Sequence, residues 1–278
     1  MALYINTNVA SINAQRQLAQ STVGVGRSME KLASGLRINR ASDDVAGLAV
    51  AESLRAAGRS FTVAARNAND GISLIGVAEG SLRVIADNLL RMRELAEQSA
   101  NGTLDDTQRT ALQSEFSNLQ AEIDRITETT KFNGINIINV AATTVSFQVG
   151  VEDGANNVIS VTSVDAHSTA LGVGAAAANV STQADATAAL TSLDSAISSL
   201  SQSRGTFGAL ENRLQTTVSN IQNAIENLSA SESRIRDVDV AAETANFVRL
   251  QILQQAGVSI LAQANQQPSL VLSLLSSR

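Results

Sequence analysis

The side chains with chemistry to offer are few and scattered. His167 is the single histidine, and the chain has no cysteine and no tryptophan. A structural zinc site takes about four nitrogen or sulfur ligands, so one imidazole without a thiolate or a second imidazole does not make one. Two carboxylate pairs, Asp43-Asp44 and Asp105-Asp106, could hold a cation or work as acid and base. Each stands where a helix is predicted to begin, and negative charge there complements the helix dipole. Gly24-Val25-Gly26 and Gly172-Val173-Gly174 are too short and misplaced for phosphate-cradling loops. No nucleophile–base pair is present. The sequence therefore points to no catalytic residue, no metal and no cofactor, and to a structural role built on contact.

Composition narrows that role. The chain has 278 residues, 44% of them hydrophobic but only 3% aromatic, and a single proline, Pro268. Small apolar residues suit narrow helix–helix seams, and few prolines let helices run long. The net charge of -6 is unevenly placed: residues 1–40 carry +4, residues 241–278 carry +1 and the middle carries -11. Termini with so few acids can be pressed together without strong repulsion. The acidic body, with only a thin basic patch and Tyr4 near the start, argues against nucleic acid. No run reaches the roughly 18 consecutive apolar residues of a membrane span. The first residues lack the basic and apolar regions of a secretory signal peptide.

The elements are read from periodicity. Residues 3–36 have a helical pattern, with Val25, Met29, Leu32 and Leu36 spaced four, three and four, though Gly24, Gly26 and Gly35 weaken it. After a break at 34–42, Ser42 is expected to cap a helix reaching about residue 66, and 67–71 to loosen into a short turn. From Ile75 a strict heptad follows: Ile75, Leu82, Leu89 and Ala96 on one row, Ala78, Ile85, Met92 and Ser99 on the other. Asn101-Gly102 is expected to end that helix and Thr103 to cap the next, in which Leu112, Phe116, Leu119, Ile123 and Ile126 continue the spacing. Alternation at Val145, Phe147, Val149 and Val151, then at Ile159 and Val161, with Asp153-Gly154 between, predicts a β-hairpin over 144–163. The low-complexity stretch 168–188 reads as a linker or a trimmed insertion site. From Leu190 to Ile235 the 3–4 spacing never slips, and a helix of about fifty residues is roughly 75 Å long, which implies an elongated molecule. The last segment, 238–277, has a broad apolar face. It carries few cations, so pairing with protein is favoured over lying on a membrane surface. The fold class expected is mainly α: an elongated antiparallel helical bundle or coiled-coil rod with a small β-hairpin, plus paired N- and C-terminal helices.

Several runs resemble bacterial flagellin. They are Leu32-Ala33-Ser34-Gly35-Leu36-Arg37-Ile38-Asn39 with Ala41-Ser42-Asp43-Asp44-Val45-Ala46-Gly47-Leu48-Ala49, then Arg66-Asn67-Ala68-Asn69-Asp70-Gly71-Ile72-Ser73 and Arg93-Glu94-Leu95-Ala96-Glu97-Gln98-Ser99-Ala100-Asn101-Gly102. Near the end, Gln251-Ile252-Leu253-Gln254-Gln255-Ala256-Gly257 and Ile260-Leu261-Ala262-Gln263-Ala264-Asn265-Gln266 do so too. The matches lie in both terminal thirds and in the family's order. The resemblance implies a filament subunit in which residues 1–44 and 237–278 form the helical core domain D0. Residues 45–236 would form the D1 rod, and the short 168–188 stretch would stand where longer members carry the outer domains D2 and D3.

The resemblance also implies partners and places. The subunit would polymerise with itself outside the cell after passing unfolded through the flagellar type III apparatus. It would meet the filament cap and hook–filament junction proteins, and an export chaperone. Phe247, Leu250, Ile252, Leu253, Leu261 and Leu270 are the expected filament-core and chaperone contacts. Ile85, Leu89, Leu119, Ile123, Leu214 and Ile221 are the expected dry core of the rod. Arg91, Leu95 and Glu115 match positions by which flagellins are bound by the Toll-like innate receptor. Otherwise Arg91 and Glu115 are solvated face residues and Leu95 packs at a rod contact. The competing functions are a hook–filament junction protein and a secreted helical effector or adhesin.

Overall fold

The computed structural model describes residues 7–276, with side chains described as far as Gln266. It is mainly helical: α1 (Val9–Ser34), α2 (Val45–Ser99), α3 (Asp106–Thr129), a hairpin of β1 (Thr144–Gln148) and β2 (Val158–Thr162), α4 (Gln183–Arg236) and α5 (Val240–Ser276). The chain divides into two compact units, residues 57–226 and the two terminal portions outside them, with the divisions falling inside α2 and α4.

The 57–226 unit is built on α2. Both rows of its heptad are buried, Ile75, Leu82, Leu89 and Ala96 with Ala78, Ile85, Met92 and Ser99. Contacts between α2 and its neighbours run in opposite order along the two chains. Arg91 meets Glu115 and Ser81 meets Thr130, which places α3 antiparallel to α2. Arg93 meets Asp194 and Glu79 meets Arg204, which places α4 antiparallel to α2 on another side. Phe116, Ile123, Leu193, Leu200, Phe207 and Leu214 complete one contiguous apolar cluster. Two strands pair antiparallel, Phe147 opposite Ile159 and Val145 opposite Val161. Their even alternation buries Ile159 and Val161 and turns Ser146 and Ser160 outward.

Four local expectations are corrected. Helix α2 runs unbroken through 67–71, because this stretch is where the hairpin docks. Asn67 Nδ2 donates to the Gln148 carbonyl at 3.0 Å, and a Cβ on Gly71 would lie 3.2 Å from Leu214 and 3.3 Å from Phe147. The glycine is kept for close approach and does not mark a turn. At the start of α2, Asp44 takes the capping role assigned to Ser42, its Oδ1 accepting from Gly47 N at 2.8 Å. Asp43 instead closes the preceding turn, accepting from the Asn39 and Arg40 amides. Before α3 the cap is Asp105, in a reciprocal capping box with Gln108, and not Thr103. Gly102 is not in the left-handed region either. The carbonyls at the end of α2 are held by the buried Arg109, whose guanidinium donates to Ser99, Asn101 and Leu104 at 2.9–3.0 Å.

The largest correction concerns 168–188. Its first part is a fixed strap and only its last residues are helix. Ala166, Ser168, Val173, Ala178 and Val180 are buried. Helix α3 supplies the partners that secondary structure would otherwise provide. Asp124 accepts from Ser168, Gln120 Nε2 donates to the Val173 and Ala178 carbonyls, and Gln113 accepts from Val180 N. Buried backbone groups must find partners, and here long polar side chains are those partners.

Glycines within α2 give a prediction with two opposite signs. A Cβ on Gly76 meets nothing within 4 Å, so Gly76→Ala should gain helix propensity and stabilise by about 0.5–1 kcal/mol. Gly71→Leu must displace Phe147 or Leu214 and should destabilise by about 1–3 kcal/mol. Chemical denaturation of the two variants checks both signs.

Candidate functional site

Among the described residues no group of three or more acidic or histidine side chains could hold a metal ion. His167 is occupied locally, with Nδ1 2.7 Å from Asp165 Oδ1. No described helix is long and apolar enough to cross a membrane. The feature that calls for a function is the terminal unit, where α1 packs along α5.

The two helices run antiparallel, as four contacts show in turn: Asn8 with Ala264, Thr22 with Gln254, Gly24 with Leu250, and Ser28 with Glu243. Glycine sets the spacing. Leu250 lies over Gly24, and Leu18 lies over Gly257. Helix α1 continues through Gly24 and Gly26 and ends at Gly35 in the left-handed conformation, φ 71°. Beyond that cap the chain is pinned to the end of α4. Arg37 N donates to the Arg236 carbonyl at 2.7 Å, Val238 N to the Gly35 carbonyl at 3.0 Å, and Arg236 pairs with Glu52 at 3.1 Å.

What the pair lacks is a dry interior. In α1 only Ser11 and Ser28 are buried, and in α5 only Ala264 among the described side chains. Apolar side chains instead face outward: Val9, Ile12, Val23 and Met29 on α1, and Val248, Ile252, Leu253, Val258 and Ile260 on α5. Single exposed apolar residues are ordinary, but two adjacent helices bearing this many form a surface that gains by being covered.

The expected contact residues divide by position. Phe247, Leu250 and Leu261 are partly buried, Ile252 and Leu253 are 59% and 50% exposed, and the Leu270 side chain lies outside those described. Of the expected rod residues, Ile85, Leu89, Ile123 and Leu214 lie in the buried cluster, and Leu119 packs partly buried against it. Ile221 is buried but is not part of that cluster. Arg91 and Glu115 bond each other at 2.8 Å on the surface, whereas Leu95 is 1% exposed inside the cluster and presents no side chain to a partner. Sequence reasoning missed Arg109, Gln113, Gln120 and Asp124. The role of the last three is visible only once the strap lies beside α3, and that of Arg109 only once α3 folds back against the end of α2.

Glu243 gives the pair a pH dependence. Ser28 Oγ and Asn246 Nδ2 donate to its carboxylate, and the Ser28 bond is the main reason its pKa is held below the ordinary carboxylate value. A group with a lowered folded pKa stabilises fully above its unfolded value and loses that contribution as pH falls through the folded one. Pairing of α1 with α5 should therefore weaken on acidification through and below the ordinary carboxylate range. Glu243→Gln should flatten that dependence, read by hydrogen exchange of residues 9–34 against pH.

Residues 5–143 match the family described as the bacterial flagellin N-terminal helical region, and residues 190–275 match the bacterial flagellin C-terminal helical region. A flagellin of Halalkalibacterium halodurans is 45% identical over 273 residues, 98% of this chain and 100% of that protein. A flagellar filament 33 kDa core protein of Treponema phagedenis is 42% identical over 285 residues, again 98% of this chain and 100% of its own length. The crystal structure of Bacillus cereus flagellin superposes with a TM-score of 0.50 at 33% identity, covering 56% of this chain and 88% of that one.

Proposed function

The chain belongs to the bacterial flagellin family and is a structural subunit of the flagellar filament; we propose that it polymerises through the α1–α5 pair while the 57–226 unit serves as the rod. The observation that carries the reading is the mismatch between the units. The 57–226 unit has a contiguous buried core, and the terminal pair buries almost nothing apolar while exposing apolar residues on both helices. A helix pair of that kind is marginal alone and gains its stability from copies of itself.

Membership of the flagellin family supports the remaining assignments. The subunit works by contact and shape and has no catalytic duty. It leaves the cell unfolded through the flagellar type III apparatus and functions in the extracellular filament, between hook–filament junction proteins at one end and the cap at the other. Before export a chaperone covers the α5 segment that includes Ile252, Leu253 and Leu261. An innate Toll-like receptor would find Arg91 and Glu115 at the surface, with Leu95 only supporting them from beneath.

Electron microscopy of purified protein after seeding tests the reading. Long helical filaments are expected. Chains that stay monomeric under every seeding condition would overturn it in favour of a secreted effector or adhesin.

A further inference from the structure

Pro268 is the only proline in the chain, and it lies inside α5. Proline has no backbone N–H, so the carbonyl four residues earlier, that of Ala264, loses its helical donor. Ala264 is 6% exposed, so water is a poor substitute. Asn8 supplies the missing donor: its Nδ2 donates to the Ala264 carbonyl at 2.8 Å. The other end of the same amide is also used, because Asn8 Oδ1 caps α1 by accepting from Ser11 N at 3.0 Å. Ser11 Oγ then donates to Asn265 Oδ1 at 2.7 Å, next along α5.

We propose that Asn8 and Pro268 together form a register clasp, in which one side-chain amide caps α1 and fills the single acceptor that proline leaves vacant in α5. Leu250 over Gly24 and Leu18 over Gly257 set the spacing, but the exposed apolar residues spread along both helices favour no single alignment. A polar group with one possible partner does specify it, as a lone asparagine does in a coiled-coil seam. Only one α5 carbonyl lacks its donor because of proline, so only one alignment of α1 satisfies both ends of Asn8. Sliding α1 by a turn would strand the Ala264 carbonyl and leave the amide nitrogen without it. The clasp deepens the reading of the pair as the assembly element, because a filament needs every copy in one register.

The chain has no cysteine, so a disulfide can report the register cleanly. A Cβ built on Gly257 lies 3.8 Å from Leu18 Cβ, the separation a disulfide prefers. The full-length soluble protein carrying Leu18→Cys and Gly257→Cys is oxidised with diamide, and the rate of intramolecular disulfide formation is followed by mass spectrometry. Asn8→Asp keeps the capping oxygen and removes the donor. Stranding a buried acceptor should slow cross-linking about fivefold or more. Pro268→Ala restores a helical donor to the Ala264 carbonyl, so in that background Asn8→Asp should cost about twofold or less. An equal effect of Asn8→Asp in both backgrounds, no effect in either, or no intramolecular disulfide in the parent would overturn the clasp. Seeded polymerisation of the same variants is scored separately. Filaments that form normally with the clasp broken would count against the assembly role and leave the cross-linking result standing.

Discussion

Leu253→Asp should abolish seeded polymerisation while leaving the melting of the soluble subunit unchanged. Leu253 is 50% exposed on α5, so in the free subunit the new carboxylate stays in water and costs little. On the proposed mode of assembly, neighbouring copies cover that face in the polymer. Burying an unpaired carboxylate there costs several kcal/mol, an amount that recurs in every subunit. Leu253→Met, which keeps volume and apolarity, should polymerise normally. Leu261→Asp should block assembly too, with some loss of α1–α5 pairing, because Leu261 is already partly buried in the free subunit. An aspartate variant that polymerises at the normal rate would remove α5 from the interface.

Leu214→Ala should have the opposite signature. Leu214 is fully buried among α2, α4 and the docked hairpin, beside Gly71. Truncation leaves a cavity that this tight site cannot close, at a cost of about 2–5 kcal/mol. For a unit of this size that lowers the melting midpoint by roughly 5–15 °C. Polymerisation below the new midpoint should persist, because the α1–α5 surfaces are untouched. Ile221→Ala should fall at the low end of the range, since Ile221 is buried outside the contiguous cluster. Thermal denaturation of the soluble variants, followed by seeding at low temperature, separates stability from assembly.

How far the sequence carried these conclusions depends on the range of the forces involved. The α2 heptad and the unslipping α4 pattern were legible because helical burial writes a local period, and the hairpin because strands write a period of two. The apolar termini were legible for the same reason, but not which leucines face inward. Leu250 sits over Gly24 and Leu253 points away, a distinction set by where two glycines allow close approach. The strap at 168–180 was not legible. Its order comes from Gln113, Gln120 and Asp124, more than forty residues earlier in the chain, and low-complexity sequence carries no trace of partners so distant. Gly71 misled for a related reason: locally it signals a turn, but Phe147 and Leu214 require its missing side chain.

The 57–226 unit is stable alone, whereas the α1–α5 pair is only marginally stable in the free subunit and gains most of its protection from assembly. Hydrogen exchange, compared residue by residue between soluble subunits and filaments, separates the two. Amides of residues 9–34 and 240–266 should exchange rapidly in the soluble protein and become strongly protected in the filament, while the buried α2 and α4 amides of the 57–226 unit stay protected in both. Equal protection of residues 9–34 in the two states would mean that the pair is fully ordered before assembly and that polymerisation does not stabilise it.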